Sequence, residues 1–450
     1  MIRINASHRS EPDTIRHNVS LIRKASKILK KSIGIFMDLQ GPKIRVGKFS
    51  DGKAELKTGQ KFTVTTENIL GNAQCCSVSY DHFDQDVEIG DPLFIDDGKI
   101  HMVVRKKTDR AVECEVIRGG ELFNHKGINL PLTNIRISAM TEKDREDARL
   151  LVPNQIDYVA LSFVSHEYDI LSLRQYLNSM GGEEIKIIAK IERQFALDQI
   201  IPIIEAADAV MVARGDLGVE IGVENVPKAQ KMIIREASKR LKPVIVATQM
   251  LESMIHSRTA TRAEVSDVAN AIYDHCDAVM LSGETAIGLD SPNAVRTMAR
   301  ICVATDQHLR EIKREDPGSK YNFMYHNMIT SICKAADQVA EENNAAAIMA
   351  FTSSGNTPLI ASKLNPVIPI IAPTDNQAVC RRMAFYRGVI PIMMPKLYKD
   401  IHRWTDMITM AVKEAKQLQL LHSGDKVVVT AGIPIGKSYG TNSIRIITVP

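Results

Sequence analysis

The chain has 450 residues, enough for about three domains at roughly 150 residues each. It is 44% hydrophobic and 24% charged, which excludes a collagenous, disordered or single-module chain. The 57 Lys+Arg against 53 Asp+Glu leave a net charge of +4, too little for nucleic-acid binding but compatible with local basic patches around small anions.

The N-terminus, MIRINASHRS, has no apolar signal-like core, and the longest apolar runs, such as Val389 to Met394, are far below membrane-spanning length. Neither secretion nor a membrane partner is expected. The seven cysteines are odd in number, include no C-x-x-C pair, and mostly sit among apolar neighbours. They read as small buried hydrophobes in a reducing compartment, so the expected localisation is cytoplasmic.

In chain order, residues 1–46 hold two short apolar runs, Met1 to Asn5 and Ile33 to Met37, around a segment of helical spacing from Asp13 to Lys30. This reads as strand, helix, strand. Residues 47–125 change texture to short alternating stretches (Lys53 to Leu56, Lys61 to Thr65, Pro92 to Ile95, Ile100 to Val104, Ala111 to Val116) divided by turns such as Asp97-Gly98. No helical period is visible there, so the segment reads as an all-β insertion. Residues 126–315 resume an α/β rhythm. Strand candidates are Tyr158 to Phe163, Ile185 to Ile191, Ala209 to Val212, Pro243 to Ala247 and Ala278 to Leu281, with helices such as Val226 to Lys239 and Thr261 to Tyr273 between them. The seven apolar strands, most ending in polar residues, predict a (β/α)8 barrel with one strand missing or unread. A polar stretch from Lys313 to Lys320 reads as a linker to a smaller α/β domain over residues 325–450. A doubly wound middle region is disfavoured by the lack of a G-x-G-x-x-G after a first strand.

Several strand ends carry groups that chemistry could use. Strand alternation puts Lys190 and Glu192 on one face, and Asp216 follows the next strand in a glycine-relieved turn. Two carboxylates on adjacent strand ends suit Mg²⁺, although an ordinary salt bridge explains the same spacing. Thr248 and Ser282 end the next two strands, and each taken singly reads as a helix cap. Four successive strands with polar ends nevertheless mark one rim as the active face. Arg3, Asn5 and Ser7 alternate along the first strand, where Arg3 suits either a phosphate or a surface ion pair. His8 has no partner at metal-ligand spacing and reads as a helix-start or core residue. In the last domain, Thr352, Ser353, Ser354, Gly355, Asn356 and Thr357 follow an apolar strand, as either an anion nest or a plain turn. The run GIPIGKS at 432–438 has one residue too few between its glycines to be a Walker-A loop.

Taken together, the stretches RINASH (3–8), MDLQGPKIR (37–45), KGINLP (126–131), AKIE (189–192), MVARGDLGVE (211–220), ATQMLESM (247–254), TRAEVSDVANA (261–271) and MLSGETAIG (280–288) resemble pyruvate kinase over essentially the whole chain. The resemblance implies a TIM barrel, an inserted β lid and a C-terminal α/β domain. It implies transfer of the phosphoryl group of phosphoenolpyruvate to ADP in glycolysis. Arg3 and Lys190 would meet the phosphoryl group, Glu192 and Asp216 would hold Mg²⁺ or Mn²⁺, and Gly215 with Asp216 would take the substrate carboxylate. Thr248, with Ser282, would lie on the proton route to the enolate. Asn5, His8 and Lys126 are implied in cofactor or nucleotide binding. The loop from Thr352 to Thr357 resembles an effector phosphate site for a sugar phosphate or nucleotide, and a homotetramer is implied.

Two departures from the family pattern carry expectations. Where potassium-dependent members have an aspartate–threonine pair, this chain has Asp38-Leu39, and it has Gln40, Lys43 and Val46 at positions that vary with it. The tethered ammonium of Lys43 is expected to replace potassium. The family's first strand and helix have no counterpart before Met1. A start assigned too late is the leading expectation, ahead of a fragment or decayed copy and of a gap filled otherwise. Two other functions stay open: a metal-dependent barrel lyase or aldolase acting on a pyruvate-like acid, and an inactive truncated paralogue.

Overall fold

The computed structural model describes residues 1–7, 11–133, 135–315, 324, 327–395, 403–434 and 440–450. Seven strands make one parallel sheet: β1 (Ile2–Asn5), β2 (Ile35–Asp38), β3 (Tyr158–Leu161), β4 (Lys186–Ile191), β5 (Ala209–Ala213), β6 (Val244–Ala247) and β7 (Ala278–Met280). They lie side by side in chain order, with β1 and β7 at the two edges among the described residues. Strands β2, β3, β5 and β6 are buried throughout, as a parallel sheet covered on both faces requires. At the edges burial falls, and every residue of β7 is half-exposed.

Alternation sorts β4 into two environments. Ile187, Ala189 and Ile191 pack outward into the large core beneath the helices, whereas Ile188 joins Phe36, Tyr158, Ala160, Ala209, Met211 and Ile245 on the inner face. Lys190 shares that inward face, one step nearer the C-terminal mouth. The opposite end is closed by the last domain. Phe385 meets the Tyr158 ring edge-on at 5.5 Å, and Tyr158 donates its hydroxyl proton to Arg382 O at 3.1 Å. With one end plugged, small molecules reach the inner face from the strand C-termini, the usual active end of such barrels.

Helix α1 (Pro12–Leu29) connects the paired strands β1 and β2; it starts with Pro12 in its first turn and ends on left-handed Lys30. The lid follows β2. Its main sheet runs in the order Ile128–Asn129, Pro92–Ile95, Ile100–Thr108, Ala111–Arg118, Lys61–Thr65, Cys75–Ser77, with a small second sheet of Lys53–Leu56 and Gly120–Phe123. It closes over its own core of residues such as Phe62, Leu93, Met102 and Val116. The all-β reading misses one helical turn, Phe83–Asp86, which is too short to show a period. It also misses Cys75–Ser77 and Gly120–Phe123, three- and four-residue strands held by their neighbours. Two straps join lid to barrel and meet at the Arg45–Gly127 bridge.

The expected linker begins later than Lys313, because the helix from Ser291 runs to Glu315; residues 316–320 lie outside the described residues. The last domain carries β8 (Ala347–Ala350), β9 (Ile370–Thr374), β10 (Val389–Met393), β11 (Lys426–Ala431) and β12 (Ser443–Thr448), ordered β10-β9-β8-β11-β12. Only β12 is antiparallel in this sheet. The order reverses between β8 and β11, the point at which open α/β sheets leave a crevice. Ion pairs seam this domain to the barrel: the buried carboxylates Asp157 and Asp277 take Arg381 and Lys363, and the exposed Glu184 takes the buried Arg382.

Candidate active site

At the mouth of the barrel the charged groups interlock. Lys190 Nζ lies 2.8 Å from Glu192 Oε1 and 3.3 Å from Asp38 Oδ1, and donates to Ser162 Oγ at 2.7 Å. Asp38 in turn holds Arg3, whose Nε and Nη2 reach Oδ2 at 2.8 and 2.7 Å. Asp38 and Glu192 are only 2% and 1% exposed, so neither carboxylate can rely on water. Burial acts to lower the Lys190 pKa, but Asp38 and Glu192 outweigh it and the net shift is upward. Lys190 is therefore a fixed cation and not a base. The Glu192 pKa is raised as well, which for a carboxylate favours the neutral form: burial and the charge of Asp216 push it up, against Lys190 and the Phe163 N–H that donates to Oε2 at 2.7 Å.

Asp216 sits in the first turn of α2 (Arg214–Ile221), directly after β5. Lys43, from the first lid strap, places Nζ 3.7 Å from its Oδ1. The side chain crosses the second strap at Gly127, where a Cβ would fall 2.7 Å from Lys43 Cε. Beside Asp216, Gly215 N donates to Thr248 Oγ1 at 2.8 Å, and that hydroxyl donates to Ala247 O at 2.6 Å. Thr248 has φ of +69° and Gln249 of +54°, left-handed values that are uncommon without glycine and least tolerated by a β-branched residue. On the next strand end, Ser282 Oγ is buried with no hydrogen-bond partner among the described residues. Glu284, 1% exposed, ties these two loops together by accepting from Leu251 N at 3.0 Å and Ser282 N at 2.7 Å.

Of the residues expected from the sequence, Arg3, Lys43, Lys190, Glu192, Gly215, Asp216 and Thr248 form one connected array, with Ser282 on the adjoining loop. Asn5 ends β1, where its side chain accepts from Ser7 N at 3.1 Å; β1 stops there, so Ser7 is in a turn and does not continue the strand face. Lys126 is on the second lid strap and pairs with Asp96 at 2.6 Å. Burial acts to raise the Asp96 pKa, but Lys126 and Lys99 lower it overall. His8 lies outside the described residues. Thr352, Ser353, Ser354, Asn356 and Thr357 line a separate cavity of about 490 Å³ at the β8/β11 crevice, shared with Asp375 and Thr441, while Gly355 supplies the turn between them. Sequence reasoning passed over Asp38 as the common counter-ion of Arg3 and Lys190, and also Ser162, Arg214 and Glu284. Only the position of Asp38 at a strand end hinted at its part.

Glu192 and Asp216 suit a hard divalent cation. Mg²⁺ takes one or two protein carboxylates and completes its shell with water and substrate oxygens, so a larger protein cage is not required. Among the described residues no group of three or more His, Cys, Asp or Glu side chains gathers as a metal site. The charge of Asp216 acts to raise the Glu192 pKa, a repulsion that a divalent cation held by the two carboxylates would relieve.

Fold and site together define an enzyme of the TIM-barrel class, with a lid over a strand-end array of fixed cations and carboxylates. Residues 1–295 match the barrel domain of pyruvate kinase, and residues 330–447 its alpha/beta domain. The chain is 40% identical over 451 residues to the pyruvate kinase of Clostridium perfringens, covering 99% of this chain and 93% of the relative. To that of Geobacillus stearothermophilus it is 40% identical over 446 residues, 99% of this chain and 75% of the relative. The crystal structure of a pyruvate kinase from Cryptosporidium parvum matches with a TM-score of 0.91 at 34% identity, covering 100% of this chain and 91% of that one. The chain belongs to the pyruvate kinase family. It is a phosphotransferase, and its reaction carries the phosphoryl group of phosphoenolpyruvate to ADP. The lyase and aldolase alternative is thereby set aside.

Proposed function

We propose that this chain runs the pyruvate kinase reaction without potassium, Lys43 supplying the monovalent charge. The observation that carries the reading is the Lys43 ammonium 3.7 Å from Asp216. Leu39, at the position of a hydroxyl ligand in potassium-dependent members, is instead 1% exposed in the apolar core. Steady-state assays in sodium-only and tetramethylammonium buffers test it. Full activity in both is expected, and a collapse restored by potassium overturns it. Pyruvate release from phosphoenolpyruvate, with and without ADP, separates an active kinase from a silent paralogue.

Arg3 and Lys190 offset charge on the phosphoryl oxygens, and Glu192 and Asp216 hold Mg²⁺ or Mn²⁺. When bound, the divalent ion supplies charge neutralisation shared by the phosphate and carboxylate of the substrate. The N–H groups of Gly215 and Asp216 take that carboxylate at the start of α2, where Gly215 must exchange Thr248 for the substrate. The Thr248 hydroxyl, released from that bond, lies with Ser282 on a water-linked proton route to the enolate. Lys126, with Asn5 and His8, serves the nucleotide and cofactor side, and lid closure brings Lys126 over the mouth.

The cavity at Thr352 to Thr357 is read as a regulatory site for a sugar phosphate or nucleotide. Its support is the set of hydroxyls around the N-terminus of α3 (Asn356–Lys363), which is preceded by left-handed Gly355. A homotetramer is the expected assembly, supported by exposed apolar side chains such as Val265, Val295 and Val303. Among the described residues no helix is long and apolar enough to cross a membrane, and the seven unpaired cysteines suit the cytoplasm.

A further inference from the structure

One buried cation near the mouth has no part in the chemistry described above. Arg214 is the first residue of α2 and is 8% exposed. A helix N-terminus is electrostatically the wrong end for a cation, and burial adds desolvation to that cost. Its hydrogen bonds account for its presence. Nη2 donates to Thr248 O at 2.8 Å and to Gln249 O at 3.0 Å, and Nε reaches Thr248 O at 3.3 Å. On the other side, Nη1 lies 2.7 Å from both carboxylate oxygens of Asp267, on the helix Arg262–Tyr273. The guanidinium thus grips the carbonyls of Thr248 and Gln249, two consecutive non-glycine residues with left-handed backbone.

We propose that Arg214, anchored by Asp267, is the positioning residue that holds Thr248 and Gln249 in their left-handed conformation and so aims the Thr248 hydroxyl across β6 toward β5. The chain leaving β6 would otherwise relax to ordinary dihedrals, because neither threonine nor glutamine favours positive φ. Relaxation would swing the Thr248 hydroxyl away from Gly215 and from the substrate methylene. A planar fork can serve two adjacent carbonyls and a carboxylate at once, whereas the single ammonium of lysine cannot match that geometry. The proposal rests on the proton-route reading of Thr248, so the test keeps the two apart.

The full-length protein is assayed with phosphoenolpyruvate and ADP, and separately for solvent deuterium exchange into the methyl group of pyruvate. Arg214→Lys is expected to lower kcat and the exchange rate together by about tenfold or more, with the KM values for both substrates within about twofold. Asp267→Asn, on a side chain 38% exposed, is expected to lower both by a few-fold in the same direction and serves where Arg214→Lys fails to fold. Gln249→Gly alone is expected to leave activity near that of the unaltered protein, since Gln249 is exposed and glycine accepts positive φ freely. Added to Arg214→Lys, it is expected to restore part of the lost kcat and exchange, because one of the two unfavourable residues no longer needs the clamp. A role in bulk stability or local charge would not produce that recovery. The proposal is overturned if Arg214→Lys and Asp267→Asn leave exchange unchanged, if they raise KM alone, or if Gln249→Gly recovers nothing. Thr248→Val is the independent control: unchanged exchange in that variant removes the proton-route reading itself, whatever the Arg214 variants do.

Discussion

The mouth of the barrel and the cavity of the C-terminal domain share a plan and differ in chemistry. Each lies beyond the C-terminal ends of parallel strands, beside the start of a helix. The barrel mouth is crowded with opposed charges that satisfy one another before any ligand arrives: Arg3 with Asp38, Lys190 with Asp38 and Glu192, Lys43 with Asp216. The cavity offers mainly hydroxyls. Thr357 Oγ1 and Thr441 Oγ1 meet at 2.5 Å, the Thr352 hydroxyl accepts from Gly355 N at 2.8 Å, and among the described lining residues Asp375 is the one carboxylate. Preorganised charge in a dry site stabilises charge that develops during a reaction, whereas neutral donors at a helix start suit reversible capture of an anion. The same strand-end geometry therefore divides between chemistry and binding according to what the side chains carry.

The largest test of that division is at Lys190. Lys190→Met is expected to lower kcat by about a thousandfold, because it removes the phosphoryl-facing cation and leaves Asp38 and Glu192 short of a partner. Steady-state assays with a circular-dichroism control for folding measure it, and a loss below tenfold would dissolve the contrast. Next in size, Lys43→Glu sets a carboxylate against Asp216 and is expected to reduce kcat by about ten- to a hundredfold. Partial recovery on adding potassium would sharpen the view of Lys43 as a tethered cation.

On the other side of the comparison, Ser354→Asp brings negative charge to the helix start of the cavity. It is expected to abolish the rise in melting temperature given by a sugar bisphosphate or a nucleoside monophosphate while leaving unactivated kcat within about twofold. Differential scanning fluorimetry beside the rate assay reads both, and a large fall in unactivated kcat would show that the cavity belongs to the catalytic apparatus.

The smallest effect concerns Glu220, at the lid hinge behind the mouth. Burial pushes its pKa up to about 7, against the opposing influence of Arg193, whose Nε lies at 4.0 Å, and of Asn129. From its ordinary value of 4.5 up to about 7, the native chain keeps a proton that the unfolded chain has released. The Glu220 contribution to stability therefore declines as pH rises through that window. Since glutamine cannot titrate, the melting temperature of Glu220→Gln relative to the unaltered protein is expected to climb between about pH 5 and about pH 8, by the equivalent of ~1–3 kcal/mol. A flat difference across that range would mean that Arg193 keeps Glu220 ionised throughout.

Much of the barrel was legible because buried parallel strands are continuous apolar runs of limited length. Val226–Lys239 appears as a helix over the residues its spacing indicated, and Thr261 proves to cap the helix that follows it. The strand-end carboxylates and Lys190 were visible because strand alternation places them together. Arg214 and Glu284 were not, since their meaning lies in bonds to backbone atoms more than thirty residues away. Ser443–Thr448 was equally silent, because its place is set by the register it keeps with Lys426–Ala431.

By itself the sequence determined the barrel rhythm, the β insertion, the third domain and the residue types at each strand end, because period, turn chemistry and charge are local properties. The tertiary structure decided which charges share a partner, which loops are held in unfavourable backbone conformations, and which end of the barrel is open. Those outcomes depend on distances between strands far apart in the chain. In a buried site, ångström-scale differences in those distances separate a satisfied ion pair from an unpaired charge.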